Sequence, residues 1–259
     1  MAKFLPFLRW LALSLLAVTS ALHAQEKELM IYCGITMVRP LTELARQFEQ
    51  SEKIKITIAQ GGSEDLYQSA KKSRLGDIYF PGEPSYRELH QAEGLFGNYK
   101  LVGYNQMSLF VAKGNPKGVK PRVEEIFRKD LTLILGNANS GSVGQETKKM
   151  LDAAGIYPSA IAKAALLMPD SRAINLALKR GEGDIALNWR ATAFFPDNAP
   201  HIDAIDLPSS VAKPQALLLI QLNFSKNPAL ANKFIDFVAS PEGQAVFRKF
   251  GFLDNRQRS

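Results

Sequence analysis

The chain has 259 residues, 46% hydrophobic and 22% charged, with one cysteine and a formal charge of +7. This composition is that of a globular protein long enough to bury a core, not of a disordered tail. A single cysteine rules out an internal disulfide framework, and the absence of any repeat of about 20–50 residues rules out solenoids and propellers.

Lys3 and Arg9 open the chain, an apolar run covers residues 10–18, and small residues follow at Ser20, Ala21 and Ala24. That order is the order of a secretory signal peptide, with cleavage expected after Ala24. The apolar run is too short to span a bilayer comfortably. Cys33 lies beyond it without the small-residue context of a lipid-anchored cysteine. Lys3 and Arg9 leave with the signal peptide, so the exported chain keeps only a mild positive charge, and it has no dense basic stripe. Nucleic acid is therefore not an expected partner.

Residues 29–33 form a short apolar strand. Pro40 fits the first turn of the next helix, where Leu41, Leu44, Ala45 and Phe48 mark one face at helical spacing. Ile54, Ile56 and Ile58 alternate with Lys55 and Thr57, the period of a strand. A helix is expected over 64–74 and a strand over 77–80, ended by Pro81-Gly82; Pro84 then opens a short helix. Strands follow at 107–112, 131–135, 185–187 and 216–222. Helices follow at 143–154, closed by Gly155, and at 171–180, closed by Gly181. Near the end, Leu230, Phe234, Phe237 and Val238 form a helical stripe, and Val246, Phe247 and Phe250 belong to a last helix. Strands alternating with helices give an α/β protein with mostly parallel sheets.

The chemistry-bearing residues sit in three small-residue loops, each between a strand and a helix. These are Gly34-Ile35-Thr36, Gly61-Gly62-Ser63, and Asn139-Ser140-Gly141-Ser142-Val143-Gly144. Open α/β sheets bind ligands at the carboxyl ends of their strands. Free N–H groups at a helix start, together with the helix dipole, favour an anion. Enzyme signatures are thin. Ser140-Gly141-Ser142-Val143-Gly144 approaches a nucleophile elbow, but Ser140 stands at its first glycine position. After export the histidines are His90 and His201, and neither lies in a motif. A secreted serine hydrolase acting through Ser142 is the competing enzyme reading.

Taken together, the chain resembles the molybdate-binding family of periplasmic solute-binding proteins that serve ABC transporters. The resemblance rests on residues 31–41 with Glu43-Leu44-Ala45-Arg46-Gln47-Phe48-Glu49, and on Gly61-Gly62-Ser63 followed by Gly76-Asp77-Ile78-Tyr79. It extends through Arg180-Gly181-Glu182-Gly183-Asp184 to Ser240-Pro241-Glu242-Gly243-Gln244. It implies a two-lobe type II periplasmic binding protein fold with two crossover strands and the ligand in the cleft. Lobe 1 would be residues 25–104 plus 213–259, and lobe 2 residues 105–212. A tetrahedral oxyanion, molybdate- or tungstate-like, would be the ligand and an ABC permease in the inner membrane the partner. The protein would be a periplasmic monomer, without enzymatic activity, cofactor or metal. The alternatives are another anion (sulfate, a phosphorus oxyanion or a small organic acid) and a periplasmic sensor or interaction protein without a transport role.

By the same resemblance, the family's ligand positions fall on Thr36, Ser63, Val143 and Ser171, and its tyrosine falls on Trp189, which offers only an indole N–H. Gly62, Ser140 and Ser142 belong to the same loops. Arg190, Arg39 and Arg172 lie beside these motifs, where a guanidinium could pair with an oxyanion or carboxylate.

Overall fold

The computed structural model describes residues 28–254, so the expected signal peptide lies outside the described residues. The chain begins with β1 (Glu28–Gly34), a 3-10 turn (Ile35–Met37) and α1 (Val38–Glu52), then β2 (Lys55–Gly61) and α2 (Ser63–Ser73). Next come β3 (Ile78–Phe80), α3 (Ser85–His90) and the long β4 (Phe96–Asn105). After a single residue it enters a second unit: β5 (Met107–Ala112), β6 (Leu133–Gly136), α4 (Ser142–Ala153), α5 (Tyr157–Lys163), β7 (Leu166–Met168), α6 (Ser171–Lys179), β8 (Ile185–Trp189) and β9 (Ile202–Asp206). It then returns through β10 (Gln215–Leu222) to α7 (Pro228–Ala239) and α8 (Pro241–Lys249).

Two five-stranded sheets result, in the orders β2-β1-β3-β10-β4 and β7-β6-β8-β5-β9. In the first, β1 pairs in parallel with β2 and β3, and β10 runs antiparallel to β3 and β4. In the second, β6 pairs in parallel with β7 and β8, and β5 runs antiparallel to β8 and β9. Four strands of each sheet therefore share one direction, and the crossover strand opposes them. The molecule is an α/β protein of two lobes. Tandem strand–helix units set this arrangement, because a parallel pair needs a helical crossover to bring the chain back.

Helix faces close the sheets as their periodicity requires. Leu41, Leu44, Ala45 and Phe48 of α1 are buried against Ile31 and Phe80, and Phe48 meets Phe234 edge-on at 5.1 Å between ring centroids. On the opposite face of the same sheet Tyr32, Tyr67, Tyr79 and Ile220 form a second cluster. Leu109, Phe110, Leu133, Leu135, Ile174 and Leu187 form the core of the other lobe. Burying each such side chain contributes about 1.5–3 kcal/mol before conformational entropy is counted.

The passage between lobes is pinned by one side chain. Asn105 is 1% exposed, and its Oδ1 accepts from the backbone N–H of Gln106 at 3.1 Å and of Ala191 at 3.2 Å. No helix among the described residues is long and apolar enough to cross a membrane.

Candidate functional site

The parallel strands of both sheets end facing each other across the cleft, and each is followed by a short loop of small residues. Gly34 ends β1 and Ile35 and Thr36 follow it; Gly61, Gly62 and Ser63 close β2 and open α2; Gly82 follows β3. From the other lobe, Gly141, Ser142 and Val143 start α4, while Asp170 and Ser171 start α6. These residues line one small pocket, with about 250 Å³ of free space including its opening.

Four helical starts converge on this pocket. The first N–H groups of a helix have no intrahelical acceptor and carry the positive end of its dipole. Gly34, Gly62 and Gly141 stand at the cap positions of three of them and have no side chain to fill that need. The fourth is capped by Asp170, whose Oδ1 accepts from Ala173 N at 2.8 Å. Asp170 is the one ionisable residue among those lining the pocket, and its carboxylate is turned onto its own helix.

The hydroxyls are oriented to donate. Ser63 Oγ accepts from the Gly82 backbone N–H at 3.1 Å, and the Ser63 carbonyl accepts from Tyr79 Oη at 2.9 Å. Ser142 Oγ accepts from the indole N–H of Trp189 at 3.2 Å. Neither N–H can accept in return, so each hydroxyl proton remains available for a ligand. Thr36 and Ser171 are 4% and 2% exposed, and their hydroxyls have no hydrogen-bond partner among the described residues. The pocket thus offers two hydroxyl donors from each lobe, backbone N–H groups and no cation. That donor set suits a compact, fully ionised anion.

Thr36, Gly62, Ser63, Ser142, Val143 and Ser171 are brought together as the sequence pattern suggests. Five other expected positions do not line this pocket. Trp189 is 1% exposed and does not line the pocket; its N–H is spent on Ser142, which it orients from behind. Ser140 lies at the rim, with its carbonyl oxygen facing Gly62. Arg39 and Arg172 line an adjoining groove, where Arg39 pairs with Asp197 at 2.6 Å.

The fifth is Arg190, whose donors are committed elsewhere. Its Nε donates to both oxygens of Asp206 at 3.0 and 2.9 Å, and its Nη1 donates to the Gly251 carbonyl at 2.8 Å. It ties β9 to the C-terminal end of the other lobe. Arg190→Ala should lower stability by about 1–3 kcal/mol in urea unfolding, through the lost charge-assisted hydrogen bonds, while anion affinity stays within about twofold. A tenfold affinity loss without destabilisation would return Arg190 to the site.

Among the described residues the one side-chain hydrogen-bond partner of Ser142 Oγ is the Trp189 N–H, a donor that cannot act as a base. His90 is paired with Glu93 at 2.8 Å and stacked on Tyr67, and His201 is an exposed turn residue.

Two residues that no motif marked lie behind the pocket. Glu83 follows Gly82, and Glu146 lies one turn into α4; they are 2% and 4% exposed. Glu146 accepts from Gln215 Nε2 at 2.8 Å and lies 3.4 Å from Lys149 Nζ. Burial pushes its carboxyl up to about 7, with Lys149 opposing and the Glu83 charge reinforcing the shift. Burial also raises Glu83 above the usual carboxylate range, against the Ser85 hydrogen bond and Lys149, while the Glu88 charge adds to the rise.

A model of the family described as bacterial extracellular solute-binding protein matches residues 29–253. A putative binding protein of Haemophilus influenzae is 25% identical over 244 residues, 92% of this chain and 98% of that one. The molybdate-binding protein of Mycobacterium bovis is 20% identical over 228 residues, 87% of this chain and 84% of that one. Among solved structures, the sulfate-binding protein of Mycobacterium tuberculosis superposes with a TM-score of 0.76 at 15% identity, covering 90% of this chain and 88% of that one. The fold is thus the type II periplasmic binding protein fold.

Proposed function

The chain belongs to the bacterial extracellular solute-binding proteins, and on that premise we propose that it captures a tetrahedral oxyanion between its lobes in the periplasm and delivers it to an ABC permease. The observation that supports this most is the donor-rich cradle without a cation, with hydroxyls of Thr36 and Ser63 on one side and of Ser142 and Ser171 on the other. A hydrogen bond to a charged ligand contributes roughly 1.5–3 kcal/mol. Four hydroxyls and the helix N–H groups therefore reach the ~8 kcal/mol of micromolar binding after ordering costs.

Selectivity follows from the same donors. An oxyanion that keeps a proton would turn one of these hydroxyls from donor into acceptor and lose its donated bond, because the one carboxylate present is held by α6. Ions without a proton at neutral pH, such as molybdate, tungstate and sulfate, match the site better than monohydrogen phosphate. Binding from both sides holds the lobes together, which presents the closed shape to the permease. The division expected from the sequence, 25–104 plus 213–259 against 105–212, supplies the moving units.

The test is calorimetric titration of protein recovered after export with molybdate, tungstate, sulfate and phosphate. Saturable binding at micromolar levels or below by a proton-free ion, lost at least tenfold in Ser63→Ala, is the expected result. Absence of binding by every tetrahedral ion would overturn the oxyanion reading.

A further inference from the structure

The cradle is not sealed on all sides. Thr36 and Ser171 line it and also line a neighbouring groove between the lobes, with about 1010 Å³ of free space including its opening. The groove differs from the cradle in charge. Arg39 is held by Asp197 and lies 5.2 Å over the Phe195 ring, so that pair is neutral. Lys179 donates to Asn198 Oδ1 at 2.9 Å and to the Asp197 carbonyl at 3.3 Å, but has no carboxylate partner among the described residues. Arg172 has no hydrogen-bond or ion-pair partner among them at all. Two cations are therefore left without a counter-charge beside an apolar wall that includes Leu176 and Phe195.

A bare oxyanion uses none of this. An ion that fits the cradle has no atoms to reach Arg172 or Lys179. A phosphate monoester does: at neutral pH most of its head is a proton-free dianion, like sulfate or molybdate in having no O–H. Its ester oxygen carries a carbon arm where another ion carries a fourth free oxygen. With three oxygens in the cradle, that arm leaves between Thr36 and Ser171 into the groove. A carbon segment meets the apolar wall, and an anionic end meets the unpaired cations.

We propose that the preferred ligand is an organic phosphate whose short arm ends in a second anion, the head bound by the hydroxyl cradle and the arm by Arg172 and Lys179. This rests on the oxyanion reading of the cradle and extends it to the groove.

The experiment compares four probes by calorimetry: molybdate, sulfate, glycerol 3-phosphate and phosphoglycolate. Phosphoglycolate is expected to bind at least tenfold more tightly than either bare ion. It should also bind more tightly than glycerol 3-phosphate, which has the arm without the second charge. Arg172→Ala and Lys179→Ala should each weaken phosphoglycolate by about tenfold and move the bare ions less than twofold. Bare ions binding as tightly as phosphoglycolate, or an arm-bearing probe indifferent to both substitutions, would overturn the groove assignment and leave the cradle standing. If none of the four probes binds, the oxyanion reading fails and this inference fails with it.

Discussion

Gly82→Ala is expected to weaken anion binding by one to two orders of magnitude while leaving the melting temperature of the anion-free protein within a few degrees. A Cβ at residue 82 would lie 2.3 Å from Ser142 Oγ and 3.0 Å from Ser142 Cβ, both on the facing lobe. Gly62 makes a second close approach, where a Cβ would sit 2.5 Å from the Ser140 carbonyl oxygen. Neither glycine has a positive φ. Alanine is thus conformationally acceptable at both, and the clash arises only where the lobes meet. Overpacking of this kind costs about 1–3 kcal/mol, equivalent to roughly 5–150-fold in affinity. Calorimetric titration and a thermal melt of the same sample separate the two effects. Unchanged affinity would mean that binding does not require this apposition.

The second large effect is on pH. Glu146 has an ordinary carboxyl pKa of 4.5 when unfolded and about 7 in the native chain. The native state therefore holds a proton that the unfolded state releases. Stability falls as pH rises from about 4.5, and the loss is complete above about 7. A difference of that size corresponds to about 3 kcal/mol. Glu83, raised for the same reason, acts with the same sign. Urea unfolding at pH 5 and pH 8 should show this difference, and Glu146→Gln should remove most of it while stabilising the protein at pH 8. A flat profile in the unsubstituted chain would show that Lys149 and Gln215 compensate the charge fully. Glu83 belongs to one lobe, Glu146 to the other, and Gln215 begins the returning crossover strand. The proton therefore favours the apposed arrangement, and affinity for an anion that itself stays proton-free in acid, such as sulfate, should be higher in mild acid.

Much of this architecture is legible in the sequence where one face of an element is buried. The spacing of Leu41, Leu44, Ala45 and Phe48 marks α1, and Gly155 and Gly181 mark helix ends through their positive φ. β4 escapes such reading. Its first half is largely exposed, Gly97 and Gly103 interrupt it, and its pairing with β10 shifts register at Leu217/Leu218. β7 and β9 are short and mostly half-buried, so neither shows a clean period of two. The cradle is legible because its parts are local: a strand end, a glycine and a hydroxyl at a helix start. What supports it is not local. Trp189 stands 47 positions from the Ser142 hydroxyl it orients. Gln215 is 69 positions from Glu146. No spacing rule connects such residues, and only the packed fold brings them together.

The strand order carries a consequence for how the chain is assembled. β10 lies between β3 and β4 in its sheet, yet it follows β9 in the chain. All five strands of the other sheet come from a single continuous stretch ending at Asp206. As the polypeptide emerges from its N-terminus, the second lobe can complete its pairing while β4 still lacks β10, the strand beside it in the sheet. The first lobe must wait for residues 215–222, whose contacts with β4 and β3 span more than 100 positions. Contacts of such long range form slowly, and domains tend to fold as units. The early half of the chain is thereby kept from locking into its native sheet until nearly the whole polypeptide has emerged, which leaves its first sheet open for longest during synthesis.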